Sequence, residues 1–67
     1  MTVIDVRDLR RSLGLSRPKF ASQFGFNVST VRQWEEGRRS PDAAGRALLA
    51  VIKIAPEIVR EAVAAAA

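Results

Sequence analysis

Four side chains near the middle of the sequence carry groups that could hydrogen-bond to, or pack against, the edges of nucleic-acid bases. They are Val28, Ser29, Arg32 and Gln33, and helical spacing would place them together on one exposed face. In a major groove, the Gln33 amide could form two hydrogen bonds with adenine, and Arg32 could reach guanine or a phosphate. Ser29 is adaptable, and Val28 could contact a thymine methyl group. The alternative is an ordinary solvated helix face.

Basic residues flank this face at positions suited to phosphate. Arg17 and Lys19 fall in the first turn of a predicted helix, where the helix dipole disfavours each cation by about 0.3–1 kcal/mol. A bound phosphate would reverse that penalty, because the same turn has free backbone N–H groups. Alternatively, these long side chains extend into water at little cost. Arg38 and Arg39 follow the next predicted helix and are candidates for a second phosphate contact.

The apolar periodicity predicts five helices that would position these side chains. The first four are expected from Val6 to Leu13, from Ser16 to Gly25, from Val28 to Glu35 or Glu36, and from Ser40-Pro41 to about Ile54, with a fifth from Pro56 onward. Asp5, Ser16 and Asn27 are the expected N-caps. On the first helix, Arg7, Arg10 and Arg11 are expected to face solvent.

The second and third predicted helices have the pattern of a helix-turn-helix. Such a pair needs a small residue where the helices approach, a glycine in the turn, and inward side chains on the second helix. Ala21, Gly25, Val31 and Trp34 meet these requirements in order. Trp34 lies three residues from Val31, so it is expected in the core rather than stacked on a base.

Composition excludes several other classes of function. The 67 residues contain no Cys and no His, so disulfides, the usual zinc sites and imidazole chemistry are excluded. Glu35 and Glu36 are adjacent and would point apart on a helix, so we expect neither an enzyme nor a cofactor site. No apolar run approaches the length of a membrane span, which favours a cytoplasmic protein. Residues 7–39 carry an excess of five positive charges, which is typical of contact with a polyanion.

The predicted fourth helix has more apolar surface than one small core can cover. Leu48, Val51, Ile52 and Ala55 are expected to face the core, and the remaining apolar side chains form a second row. A chain of this length is marginally stable alone, so a second subunit is expected to cover that row, within about residues 47–66. The expected dimer contacts are Ala47, Ala50, Ile54, Ile58, Val59, Ala62 and Val63.

The segment from Leu9 to Ile52 resembles the Cro/C1-type (XRE) helix-turn-helix family. Within it, the run VSTVRQWEEGRRSPDAAGRALLAVI resembles the HigA-type antitoxins and the related MqsA C-terminal domain. The resemblance implies an all-α, five-helix, lambda-repressor-like domain over residues 1–67, with the helix-turn-helix at about 17–36. It also implies that the family's base-reading positions fall on Val28, Ser29 and Gln33, with Arg32 nearby, and its phosphate contacts on Arg17, Asn27, Arg38 and Arg39. Pro18 and Lys19 depart from the acidic or Gln residues that are usual in the family.

The same resemblance implies a repressor that binds a palindromic operator in double-stranded DNA as a homodimer. In the antitoxin branch it represses its own operon and has a RelE-like, mRNA-cleaving toxin as partner. Two alternatives stay open from the sequence. One is a stand-alone phage- or operon-type regulator without a toxin, and the other is a protein-interaction module that has lost DNA binding.

Overall fold

Five helices form the part of the chain that the computed structural model describes, residues 5–67. They are α1 (Val6–Ser12), α2 (Arg17–Phe24), α3 (Val28–Glu35), α4 (Ala43–Ile54) and α5 (Pro56–Ala66). No strand occurs in this range, so the expectation of an all-α fold with five helices is confirmed. None of the five helices has the length and apolarity to cross a membrane.

The helix starts follow from local capping residues. The side chains of Asp5, Ser16 and Asn27 accept backbone hydrogen bonds at the starts of α1, α2 and α3, as expected from the sequence. The fourth start is two residues later than expected, because the Asp42 carboxylate accepts a 2.7 Å bond from the Gly45 N–H. A charged oxygen in that position is the stronger cap, so Ser40 and Pro41 lie in the connecting loop.

All five helices contribute to one buried cluster. The helix-turn-helix pair packs against α1 and α5, and α4 packs against α5. The buried side chains are Val6, Leu9, Phe20, Ala21, Phe24, Val31, Leu49, Ile52 and Val59. With only eight residues, α3 depends on this packing, because a short isolated helix is marginal in water. The cluster therefore sets the orientation of α3.

The inward face of α4 differs from the expected one. Leu49 and Ile52 are fully buried and Leu48 is partly buried, whereas Val51 is 44% exposed. The expectation that Val51 lies in the core was wrong. Leu49 and Ile52 are three residues apart and so share a helix row, which leaves Val51 turned away from it.

Candidate nucleic-acid interface

The turn between α2 and α3 is closed by a glycine and an aromatic cluster. Gly25 has φ 76°, a left-handed conformation in which a side chain is strained, and the Phe26 N–H donates to the Ala21 carbonyl at 2.8 Å. The Phe26 ring stacks on Phe20 at 5.8 Å between centroids and meets Trp34 edge-on at 5.1 Å. Sequence reasoning missed Phe26, although an apolar residue directly after a helix-ending glycine often packs back on that helix.

Val31 and Trp34 of α3 face inward, as expected from the sequence. Val31 is fully buried and Trp34 is partly buried against the core. Ser29 and Arg32 are exposed, Val28 is 37% exposed, and Gln33 is half-buried. Val28, Ser29 and Arg32 therefore lie on the part of α3 that the core leaves uncovered, whereas Gln33 is only partly accessible.

A buried carboxylate on the same helix collects three arginines. The Glu35 side chain is fully buried and accepts two hydrogen bonds from Arg10, from Nε to Oε2 at 2.8 Å and from Nη2 to Oε1 at 3.0 Å. Arg17 Nε and Arg7 Nε also donate to Oε1, at 3.1 and 3.4 Å. We call these four residues the Glu35 cluster. It joins α1, α2 and α3, so it fixes α3 relative to both preceding helices.

Charge and hydrogen bonding keep the Glu35 carboxyl ionised. Burial raises the pKa of the Glu35 carboxyl, but hydrogen bonds from Arg10 and Arg17, together with their positive charges, outweigh burial and lower the pKa to about 2. The same hydrogen bond raises the pKa of the Arg10 guanidinium. The expectation that Arg10 faces solvent was therefore wrong. Nothing in its sequence neighbourhood indicates a partner 25 residues away.

The candidate phosphate-binding residues divide into two groups. Lys19, Asn27, Arg38 and Arg39 are exposed. Of these, Arg38 makes a long 3.4 Å contact with Glu36, and the Asn27 side-chain oxygen accepts from the Ser29 N–H at 2.8 Å. Arg17 is only 29% exposed, because its Nε is held by Glu35. Lys19, Arg38 and Arg39 can therefore move toward a ligand, whereas Asn27 is held by its cap hydrogen bond and Arg17 by Glu35.

The candidate dimer contacts also divide. Ile54 is 82% exposed, Ile58 is 59% exposed, and the side chains of Ala47 and Ala62 are exposed as well, with Ala50 half-buried. Val59 is only 5% exposed, and Val63 packs against the core next to Gly25. Val59 is thus part of this chain's own core and is not available to a partner, which corrects the expected contact set. The physical reason is that α5 needs Val59 and Val63 to pack on α2 and α4.

Comparison with known proteins gives consistent matches. A helix-turn-helix family model matches residues 6–44, from α1 to the start of α4. The chain is 30% identical over 57 residues to the uncharacterized HTH-type transcriptional regulator YiaG of Escherichia coli K12, and equally to the proteins of that name from strains O6:H1 and O157:H7. The matches cover 85% of this chain and 59% of each relative, so the chain spans less than two thirds of their length. No solved structure matches the chain significantly.

Proposed function

This chain belongs to the helix-turn-helix family, and from that premise we propose that it is a sequence-specific DNA-binding repressor of transcription. The observation that carries the proposal is the exposed face of α3. Val31 and Trp34 are turned inward and Glu35 is bonded to two other helices, so the opposite side chains are held outward on a fixed helix. An α-helix held in this way fits into the major groove of B-DNA.

On this proposal, four side chains read the bases. Gln33 pairs with adenine, and Arg32 reaches guanine or a phosphate. The Ser29 hydroxyl can donate or accept a hydrogen bond, and Val28 packs on a thymine methyl group. Register along the duplex comes from the phosphate contacts, which carry no sequence information of their own. We assign these to Arg17, Lys19, Asn27, Arg38 and Arg39, whose positions at the ends of α2 and α3 support this role.

We further propose that the repressor acts as a homodimer on a palindromic operator. Ile54 and Ile58 flank the junction between α4 and α5, and both are exposed. Such an apolar surface on a small chain favours burial against a second subunit. Together with Ala47, Ala50 and Ala62, they form the proposed dimer surface. Two recognition helices would then contact half-sites separated by about 10 base pairs or a multiple of one turn.

The decisive experiment is a salt titration of duplex binding, using the DNA upstream of the chain's own gene and a scrambled duplex of equal length. Several phosphate contacts should make affinity for both duplexes fall steeply with salt. The upstream DNA should bind at least about a thousandfold more tightly than the scrambled DNA. Weak binding with little salt dependence would instead support the protein-interaction module. Equal affinity for both duplexes would contradict the base-reading role of α3.

An antitoxin role is a second, narrower candidate. It is supported by the run from Trp34 to Pro41, WEEGRRSP, which resembles the HigA-type antitoxins. If this role is correct, a RelE-like toxin encoded next to the gene should co-purify with the chain, and the chain should block its mRNA cleavage. Absence of such a neighbour, or failure of the two proteins to bind, would favour the stand-alone regulator.

A further inference from the structure

The Glu35 cluster contains more positive charge than its carboxylate requires. Arg10 alone satisfies both oxygens through a bidentate pair, and its Nη1 donates to the Leu15 carbonyl at 3.0 Å. Arg10 is thus fully used in holding α1 to α3. Arg7 and Arg17 are added to the same oxygen, so three guanidinium groups face one negative charge.

Arg7 and Arg17 each use only one N–H group to bind this carboxylate. Both donate only through Nε, and within residues 5–67 their terminal nitrogens donate no hydrogen bond. Their side chains are 43% and 29% exposed. Both Nε atoms contact the same Glu35 oxygen, so the two guanidinium groups lie near each other, and their four terminal nitrogens remain available. Repulsion between them would be relieved by an anion that bridges both.

The position of this pair points to a particular anion. Val28, Arg32 and Glu35 follow one another at helical spacing, so the Glu35 cluster borders the exposed face of α3. Arg17 is also the first residue of α2, where the helix dipole favours negative charge. A duplex lying against the exposed face of α3 would bring its sugar-phosphate backbone to the edge of that face.

We propose that Arg7 and Arg17 together clamp one backbone phosphate of duplex DNA, and that Glu35 is a positioning residue that holds both guanidinium groups in place. This inference rests on the proposed DNA-binding function. It assigns a ligand contact to Arg7 and gives Glu35 a role in binding although Glu35 itself repels DNA.

The sharpest test replaces Glu35 by glutamine. Removal of a negative charge from a basic protein should by itself tighten binding to DNA, whereas loss of a positioning residue should weaken it. We therefore expect Glu35→Gln to lose roughly tenfold or more in affinity for a mixed-sequence duplex and to show a shallower salt dependence. Glu36→Gln is the matched control, since Glu36 is the exposed neighbour, and it should bind as tightly as the unmodified chain or more tightly. Tighter binding by Glu35→Gln would overturn the positioning role.

Two further variants keep the test valid if Glu35→Gln folds poorly. Arg7→Ala and Arg17→Ala retain the Arg10 pair, and circular dichroism melts would verify that they fold. Each should lower the slope of log affinity against log salt by about 1 and reduce affinity about equally for all sequences. Lys53→Ala removes the same charge from an exposed site on α4 and should change the slope little. If Arg7→Ala behaves like Lys53→Ala while the unmodified chain binds DNA, the clamp is wrong and the proposed function stands. If the unmodified chain does not bind, the proposed function itself fails.

Discussion

Gln33 and Arg38 are expected to contribute to DNA binding in different ways. Gln33 is a half-buried residue of α3, and Arg38 follows that helix with a 75% exposed side chain. Gln33→Ala should cost about 1–3 kcal/mol on the operator and relax specificity at one base pair, because a bidentate base contact is lost. Arg38→Ala should weaken binding to all duplexes by a similar factor. Affinities for single-base operator variants would measure both effects. Equal losses for Gln33→Ala on operator and scrambled DNA would refute its role.

Glu35 should make the stability of the chain depend on pH in the acid range. Its folded pKa of about 2 is below the ordinary value of 4.5, so the ionised carboxylate stabilises the fold above pH 4.5. That contribution, about 3 kcal/mol for the full shift, is lost progressively as the pH falls toward 2. Urea unfolding of the unmodified chain and of Glu35→Gln across this range would measure it. The difference in stability between the two proteins should shrink as the pH falls, and a constant difference would contradict the assignment.

At the level of helices, the turn between α2 and α3 helps to set the direction of the exposed face of α3. Gly25 ends α2, Phe26 packs between Phe20 and Trp34, and Asn27 caps α3. Gly25 acts through its backbone conformation, Phe26 through aromatic packing, and Asn27 through a hydrogen bond. The angle between the two helices therefore depends on three consecutive residues rather than on the exposed side chains that would meet DNA.

Gly25→Ala should destabilise the chain by about 1–2 kcal/mol, because an L side chain is strained at positive φ. Steric overlap adds little, since the new Cβ would meet Val63 Cγ2 at an ordinary 3.5 Å. Denaturant unfolding would measure the cost, with Ser22→Ala at an exposed position of α2 as control. An unchanged midpoint for Gly25→Ala would mean that the turn tolerates the strain by shifting.

At the level of the whole molecule, α5 closes the core and also exposes apolar surface. Val59 and Val63 pack inward, and Arg60 donates to Gln23 Oε1 at 2.8 Å and lies 5.4 Å from the centre of the Phe24 ring. These contacts hold α5 on α2. The consequence is that Ile54 and Ile58, at the junction of α4 and α5, cannot also turn inward.

Ile54→Glu should abolish the proposed dimer, because burial of an unpaired charge at the contact is unfavourable. Ile54 is already 82% exposed, so the thermal stability of the monomer should change little. Sedimentation should then report a monomer at concentrations where the unmodified chain is a dimer. Affinity for a full palindrome should fall while affinity for a half-site is retained. Ala44→Glu, at the other end of α4, should remain dimeric. If the Ile54→Glu variant is still a dimer, the dimer contact lies on another surface of the chain.

Features that depend on neighbouring residues could be predicted from the sequence. The caps at Asp5, Ser16 and Asn27 and the turn at Gly25 involve hydrogen bonds and dihedral angles within a few residues, so residue type and spacing were sufficient. The inward placement of Val31 and the uncovered face of α3 followed from the same helical period.

Features that depend on distant residues were decided only by tertiary structure. Arg10 meets Glu35 across 25 positions, and α4 turns Leu49 rather than Val51 inward because of what α4 packs against. Val59 likewise belongs to the chain's own core rather than to a partner surface. Hydrophobicity and charge identify which side chains need a partner, but they do not identify the partner. That choice depends on which helices meet once all five pack around one core.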